Sequence, residues 1–290
     1  MKTVHFVRHG ETEQNKDGIW QGHTNTQLSK TGKAQAKLLS KRINLKNQTV
    51  FTSDLARAKE TAYFLSDSPN VRENLREINV GDFTGKSVKE TYSNNLEIFD
   101  ALQYDTYVFP NGESVQEFKL RVQKEVDHIF DNIDEDSECV VVTHGFFIGT
   151  AIGLVLGFNQ YPYPIGNIQN TSISTVIKRD SVMQVNKFND AIHLPNSYID
   201  YPAKDKSRIL TFIRHGQTDS NTQGVWQGHV DNPLNTYGVE TAKELKGKFS
   251  NYDLYLSSSF KRAFETISLI VDDKDIICLL YTSPSPRDAT

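Results

Sequence analysis

The nine residues Val4-His5-Phe6-Val7-Arg8-His9-Gly10-Glu11-Thr12 return 206 positions later as Leu210-Thr211-Phe212-Ile213-Arg214-His215-Gly216-Gln217-Thr218. The residues after each copy return too. Asn15, Gly18, Trp20, Gln21, Gly22, His23, Leu28 and Gly32 reappear as Asn221, Gly224, Trp226, Gln227, Gly228, His229, Leu234 and Gly238. Further on, Arg57-Ala58 and Glu60-Thr61 reappear as Arg262-Ala263 and Glu265-Thr266. A match this long is a tandem duplication, so the chain holds two copies of one fold. After about Ile277 nothing resembles the first copy. The expected layout is a complete domain over 1–190, a linker over 191–207, a truncated second copy over 208–277, and a tail over 278–290 foreign to the fold.

Each copy opens on a brief β-branched and aromatic run, which reads as a buried strand. Gly10 then allows a turn that a side chain would obstruct. Arg8 and His9 therefore stand at the carboxyl end of a strand, where open α/β sheets place ligands. Taken alone, a strand that happens to end in two polar residues explains this equally well. A third run, Cys139-Val140-Val141-Val142-Thr143, ends in His144-Gly145.

Between these runs the pattern alternates. Ser29 caps a helix to about Asn44, and Thr49 to Thr52 is a short strand. Ser53 and Asp54 are placed to cap a helix over Leu55 to Ser66, with Arg57 in its first turn. Val71 to Ile78 looks extended, and a helix is predicted over Ser87 to Gln103. Ser114 and Glu117 form a capping box before an amphipathic helix to about Asn132. An apolar helix spans Phe146 to Leu156, and Ser172 to Lys178 with Val182 to Phe188 close the unit as a strand pair. Strands alternating with helices imply an α/β three-layer sandwich on a mostly parallel sheet.

Composition narrows the function. Lys and Arg number 32 against 36 Asp and Glu, a net charge of −4, which argues against a nucleic-acid binder. Cys139 and Cys278 are too few and too far apart for a disulfide framework. No signal peptide is visible and no apolar stretch approaches the roughly 20 residues of a bilayer span. A cytoplasmic protein with no membrane partner is expected; oligomeric state is not legible.

The chemistry emerges if Arg8, His9, Asn15, Arg57, Glu77 and His144 converge. Two arginines and two histidines around one point suit a dianion, since the guanidinium fork matches phosphate oxygens. A neutral imidazole nitrogen is a nucleophile near pH 7. The reading is covalent phosphoryl transfer: His9 attacks phosphorus, the other donors hold its oxygens, and Glu77 protonates the leaving oxygen and later activates water. His9, His144 and Glu77 also form a two-histidine, one-carboxylate set. Arg8 and Arg57 would repel a divalent cation there, so no metal is expected.

The motifs Val7-Arg8-His9-Gly10-Glu11-Thr12-x-x-Asn15, Trp20-Gln21-Gly22-His23, Ser53-x-Leu55-x-Arg57-Ala58-x-x-Thr61, Leu75-Arg76-Glu77-Ile78-x-x-Gly81, Gly112-Glu113-Ser114 and Val142-Thr143-His144-Gly145 stand in that order. Together they resemble the histidine phosphatase superfamily, the phosphoglycerate mutase-like family. The resemblance implies phosphohistidine formation on His9, with Glu77 as proton donor and Arg8, Asn15, Arg57 and His144 on the phosphate. It implies Gln21, Gly22 and Thr12 beside the substrate, a small phosphorylated metabolite, and no metal or organic cofactor. Mutases of this family resemble this plan but carry a longer insertion between the counterparts of Glu77 and His144. The interval of 67 positions here looks more like the phosphatase branch. The alternatives are phosphoglycerate mutase-type transfer and a non-catalytic phospho-ligand binder. The second copy keeps Arg214, His215, Asn221 and Arg262 but has no counterpart of Glu77 or His144, so turnover there is not expected.

Overall fold

The computed structural model describes residues 1–43, 48–94, 107–158, 167–195, 210–249, 252–271 and 275–279. They fall into two units, Met1–Leu194 and Pro195–Thr290.

The first unit is built on a six-stranded sheet of β1 (Lys2–Arg8), β2 (Thr49–Ser53), β3 (Asn70–Arg72), β4 (Glu138–Thr143), β5 (Ile173–Arg179) and β6 (Val182–Asp190). The strand order is β3-β2-β4-β1-β5-β6. β3, β2, β4 and β1 run parallel, and β5 and β6 complete the sheet antiparallel. The centre of β4, Cys139–Val142, is apolar and buried because both its faces are covered, as expected of a central parallel strand. Cys139 and Val141 join one core with Val4, Phe6, and Phe118, Val122, Phe147 and Ile148 from the helices Val115–Asn132 and Gly145–Val155. Val140 and Val142 join another with Val7, Val50, and Leu39, Ala58 and Ala62 from the helices Lys30–Arg42 and Ala56–Tyr63. Two cores on opposite faces of one sheet make the three-layer α/β sandwich.

This topology places the site. Arg8 on β1 is the register partner of Thr143 on β4. The chain leaves β1 for a helix on one face and leaves β4 for a helix on the other. His9 and His144 therefore emerge side by side at a switch point, the usual ligand crevice of such sheets.

Local details correct the sequence reading in two places. Neither Ser53 nor Asp54 caps the helix Ala56–Tyr63: Ser53 Oγ faces His144 and Asp54 is paired with Arg76. The Ala56 N–H donates instead to Asn25 Oδ1 at 2.7 Å. The stretch Val71 to Ile78 is extended only to Arg72, then turns through a 3₁₀ segment, Glu73–Leu75, that buries Leu75. Gly10 leaves no room for a side chain, as its reading in the sequence has it. A Cβ there would stand 2.7 Å from the Gly32 carbonyl oxygen. Other elements lie where predicted, including the Ser29 cap and the Ser114–Glu117 capping box. The predicted helix from Ser87 is seen over Val88–Asn94; its remainder and the aromatic residues Tyr104, Tyr161 and Tyr163 lie outside the described residues. The predicted linker begins with Ala191 buried and His193 hydrogen-bonded to Thr171.

The second unit contains the helices Asp219–Thr222, Thr236–Glu244 and Lys261–Ile270, and the parallel pair β7 (Tyr255–Ser258) and β8 (Ile276–Leu279). Cys278 and Leu279 belong to β8; residues 280–290 lie outside the described residues. The run Leu210–Arg214 forms no strand. Its apolar side chains are correspondingly exposed. Val4 and Phe6 are 0% exposed, whereas their counterparts Leu210 and Phe212 are 79% and 91% exposed, and Trp20 at 7% corresponds to Trp226 at 97%. One motif thus meets two environments in one chain. Phe6→Ala is expected to destabilise the first unit by about 3–5 kcal/mol. Phe212→Ala is expected to stay within about 0.5 kcal/mol for the unit that carries it. Denaturant unfolding monitored by hydrogen exchange resolves the two; equal effects would contradict the burial difference.

Candidate active site

His9 is buried at the end of β1, and its backbone N–H donates to the Thr143 carbonyl on β4 at 2.9 Å. Its Nδ1 lies 2.7 Å from the Gly10 carbonyl oxygen. An acceptor there requires Nδ1 to carry the proton, which leaves a lone pair on Nε2. Arg57 Nε donates to that nitrogen at 3.3 Å. Burial, then the Arg57 and Arg8 charges, hold the His9 imidazole well below its usual pKa, so it is neutral near pH 7.

Arg57 is itself fixed from below. Its Nη1 and Nη2 donate to the carbonyls of Thr24 and Gly22 at 2.7 and 2.9 Å. Thr61, one turn further along the helix, donates its hydroxyl to the Arg57 carbonyl at 2.7 Å and accepts the Gly10 N–H at 2.9 Å. Burial lowers the Arg57 pKa to about 10, against the pull of Glu77, and it remains charged at neutral pH. Arg8 Nη1 donates to the Ile168 carbonyl, and its Nε, also buried, has no hydrogen-bond partner among the described residues.

His144 caps the helix Gly145–Val155 and is fully buried. Its ring centroid lies 5.2 Å from that of His9. Nε2 pairs with Ser53 Oγ at 2.9 Å, and Nδ1 has no partner among the described residues. Burial and then Arg57 push its pKa well down. Glu77 approaches from the segment after β3. Its Oε1 accepts the Ile78 N–H at 3.0 Å and its Oε2 accepts the Phe146 N–H at 3.2 Å, in the first turn of the helix after His144. Burial raises the Glu77 pKa; those two N–H groups, Arg57 and Arg8 pull the other way.

The remaining predicted residues form a shell on the nucleophile side. Asn15 closes a capping box with Thr12, accepting the Thr12 N–H at 3.2 Å. The buried Thr12 hydroxyl also reaches Gln21 Oε1 at 3.1 Å, which in turn accepts from Thr26 at 2.7 Å. Thr12 thereby orients the amides of Asn15 and Gln21, whose N–H₂ groups remain as donors. Gly22 has a φ of +47°, which favours glycine, and turns its carbonyl to Arg57.

Several contributors carry no motif signal of their own. Asn170 Nδ2 donates to the His9 carbonyl at 2.9 Å. Thr171, with a left-handed φ of 58°, donates its N–H to the Arg8 carbonyl at 2.9 Å. Arg121 on the helix Val115–Asn132 gathers the carbonyls of Asn74, Arg76 and Glu77 while pairing with Glu113. His23, by contrast, belongs to the Trp20-Gln21-Gly22-His23 motif and donates from Nε2 to the Glu77 carbonyl at 2.8 Å. Thr61 and Ser53 belong to the sequence motifs, and their hydroxyl partners become visible only in three dimensions.

The second unit repeats the first half of this geometry. His215 Nδ1 lies 2.7 Å from the Gly216 carbonyl, Gly216 N–H donates to Thr266 at 2.9 Å, and Asn221 closes a capping box with Thr218. Arg262 is held by the carbonyls of Val230 and Gly228 at 2.7 and 3.1 Å.

Comparison with known proteins matches the profile of the histidine phosphatase superfamily (branch 1) to residues 4–191 and again to 210–282. The metal-independent phosphoserine phosphatase of Arabidopsis thaliana is 30% identical over 65% of this chain and 82% of its own length. A probable phosphoglycerate mutase of an Enterobacter species is 28% identical over 71% of this chain and 99% of its own. Among solved structures, a mutant phosphoserine phosphatase from Entamoeba histolytica in complex with phosphoserine superposes with a TM-score of 0.61 at 28% identity. It covers 67% of this chain and 100% of its own.

Proposed function

Because this chain belongs to the histidine phosphatase superfamily, a family of enzymes, we propose that it is a metal-independent phosphomonoester phosphatase working through phospho-His9. The observation that carries this is the His9 tautomer. Nδ1 is pinned to a carbonyl, so the lone pair stands on Nε2, where it accepts from Arg57 Nε.

Nε2 of His9 attacks phosphorus and forms the P–N bond as the ester P–O bond breaks. The substrate's phosphate oxygens are held by Arg8, Arg57, Asn15 and His144, with Gln21, Gly22 and Thr12 shaping the wall. Guanidinium groups whose Nη atoms are fixed beforehand by carbonyls do not need to reorganise as charge develops. Glu77, whose pKa burial raises, donates its proton to the leaving alkoxide. The resulting carboxylate then takes a proton from water, whose oxygen attacks phosphorus and frees His9.

Residues 1–190 carry this complete set. The second copy, 208–277, keeps Arg214, His215, Asn221 and Arg262 without an acid, and 191–207 joins the two. The substrate is a small phosphorylated metabolite; phosphoserine is the first to test, since two of the similar proteins are named phosphoserine phosphatases. The mutase-named relatives keep phosphoglycerate mutase-type transfer as a second reading. The 67-position interval between Glu77 and His144 favours hydrolysis. Nothing in the set requires a metal. Among the described residues no helix is long and apolar enough to cross a membrane. A cytoplasmic location belongs to the same proposal.

The direct test is phosphate release from phosphoserine and a panel of phosphometabolites. Activity is expected to survive a chelator, to be inhibited by vanadate, and to leave an acid-labile phosphoryl group on His9 when turnover is quenched rapidly. Loss of activity in the chelator, or transfer to 3-phosphoglycerate in preference to water, would overturn the reading.

A further inference from the structure

One turn grips the backbone of Arg8 and His9. The Ile168 carbonyl accepts from Arg8 Nη1, and the Ser172 carbonyl accepts the Arg8 N–H at 3.3 Å. The Thr171 N–H donates to the Arg8 carbonyl at 2.9 Å. Asn170 Nδ2 takes the next carbonyl, that of His9, also at 2.9 Å. Thr171 reaches this position only in a left-handed conformation, with φ 58°, which a β-branched residue disfavours. A residue in such a conformation is kept there by its surroundings.

Those surroundings include a side chain from beyond residue 190. Thr171 is fully buried, and its Oγ1 lies 3.1 Å from His193 Nε2. His193 Nδ1 lies 3.2 Å from Arg42 Nη1. A guanidinium only donates, so Nδ1 accepts, and Nε2 carries the proton that goes to Thr171. Burial, then the Arg42 charge, lower the His193 pKa to about 4 against the pull of Asp190, so the ring is neutral near pH 7. Arg42 ends the helix Lys30–Arg42, whose Gly32 packs on Gly10. It is fixed in turn by the Asp190 carboxylate and by the Asp190 carbonyl at 3.3 Å. Asp190 also turns the chain toward His193, since its Oδ1 accepts the Ile192 N–H at 3.2 Å.

We propose that His193 is a positioning residue for the nucleophile: held by Arg42, it locks Thr171 in its left-handed conformation and so fixes the Arg8–His9 strand end for attack on phosphorus. The role in attack rests on the phosphatase reading above. It extends the working domain to a side chain that belongs to none of the motifs.

The test compares His193→Ala with His193→Gln in the full chain. Glutamine can donate an amide N–H to Thr171 and offer its oxygen to Arg42; alanine can do neither. In the alanine variant, exchange of the Thr171 amide hydrogen is expected to quicken by about tenfold or more, with the β4 amides unchanged. Formation of phospho-His9 in a single turnover is expected to slow by about 10–100-fold, with substrate affinity altered by less than about threefold. The slowing should be equal on phosphoserine and p-nitrophenyl phosphate, because it lies on the side of the nucleophile and not of the leaving group. Glutamine is expected to restore both exchange and rate. Unchanged exchange at Thr171 in the alanine variant would overturn the proposal. So would equal quickening throughout β4, or a glutamine variant that restores neither quantity. A wild type that releases no phosphate would overturn the phosphatase reading instead, and the Thr171 exchange then decides the hold of His193 on its own.

Discussion

His9→Ala is expected to lower kcat/KM for every accepted phosphomonoester by at least about 10⁴-fold and to abolish the acid-labile adduct. The size reflects its place in the reaction: without the Nε2 lone pair there is no covalent route, and the arginines can only bind the phosphate. Substrate affinity should change far less, since Arg8, Arg57 and Asn15 remain anchored by their own partners. Rapid-quench trapping and a binding isotherm on the same protein separate the two effects, with the melting temperature read alongside. A variant that still forms the adduct at the wild-type rate would sink the assignment.

Glu77→Gln is expected to cost about 10²–10⁴-fold in kcat on an alkyl phosphate such as phosphoserine. The loss should be much smaller on p-nitrophenyl phosphate, whose leaving group departs without a proton. The pH dependence carries the same logic. His9 acts neutral and its pKa is held well down, so activity falls only at pH values below the usual imidazole range. Glu77 acts protonated and its pKa is raised, so activity falls as pH rises through that elevated value. The glutamine variant should lose the alkaline limb while keeping the acid one. An unchanged alkaline limb, or an equal loss on both substrates, would assign the proton to another group.

Much of the site is legible in the chain because the nucleophile half is local. Thr12 and Asn15, the Ser29 cap, and Arg57 and Thr61 on one helix all lie within spacings that a sequence displays. The central strands are legible too: Cys139 to Val142 is apolar on both faces because both faces are buried. Pairing across long separations is not legible. Ser53 looks like a helix cap until His144, 91 positions away, is seen on its hydroxyl. Asn170 and Thr171 lie in an ordinary polar turn, yet hold the carbonyls of His9 and Arg8. Arg121 reads as a solvated helix arginine, yet gathers the three carbonyls around the acid. Gly10 reads as a residue without room for a side chain, but the neighbour that sets this, Gly32 on the next helix, is seen only in the structure.

The near-identity of the contacts around His9 and His215 has a consequence for the order in which this enzyme comes into being. In the second unit those contacts form with no paired first strand. The reactive tautomer is therefore the work of about fifty consecutive residues, whose contacts close over short loops and form early as a chain folds. Glu77 depends instead on Arg121, Phe146 and the insertion of β4 between β1 and β2, all distant in sequence. During folding, the contacts that set the His9 tautomer are therefore expected to form before those that hold Glu77, because they close over shorter stretches of chain.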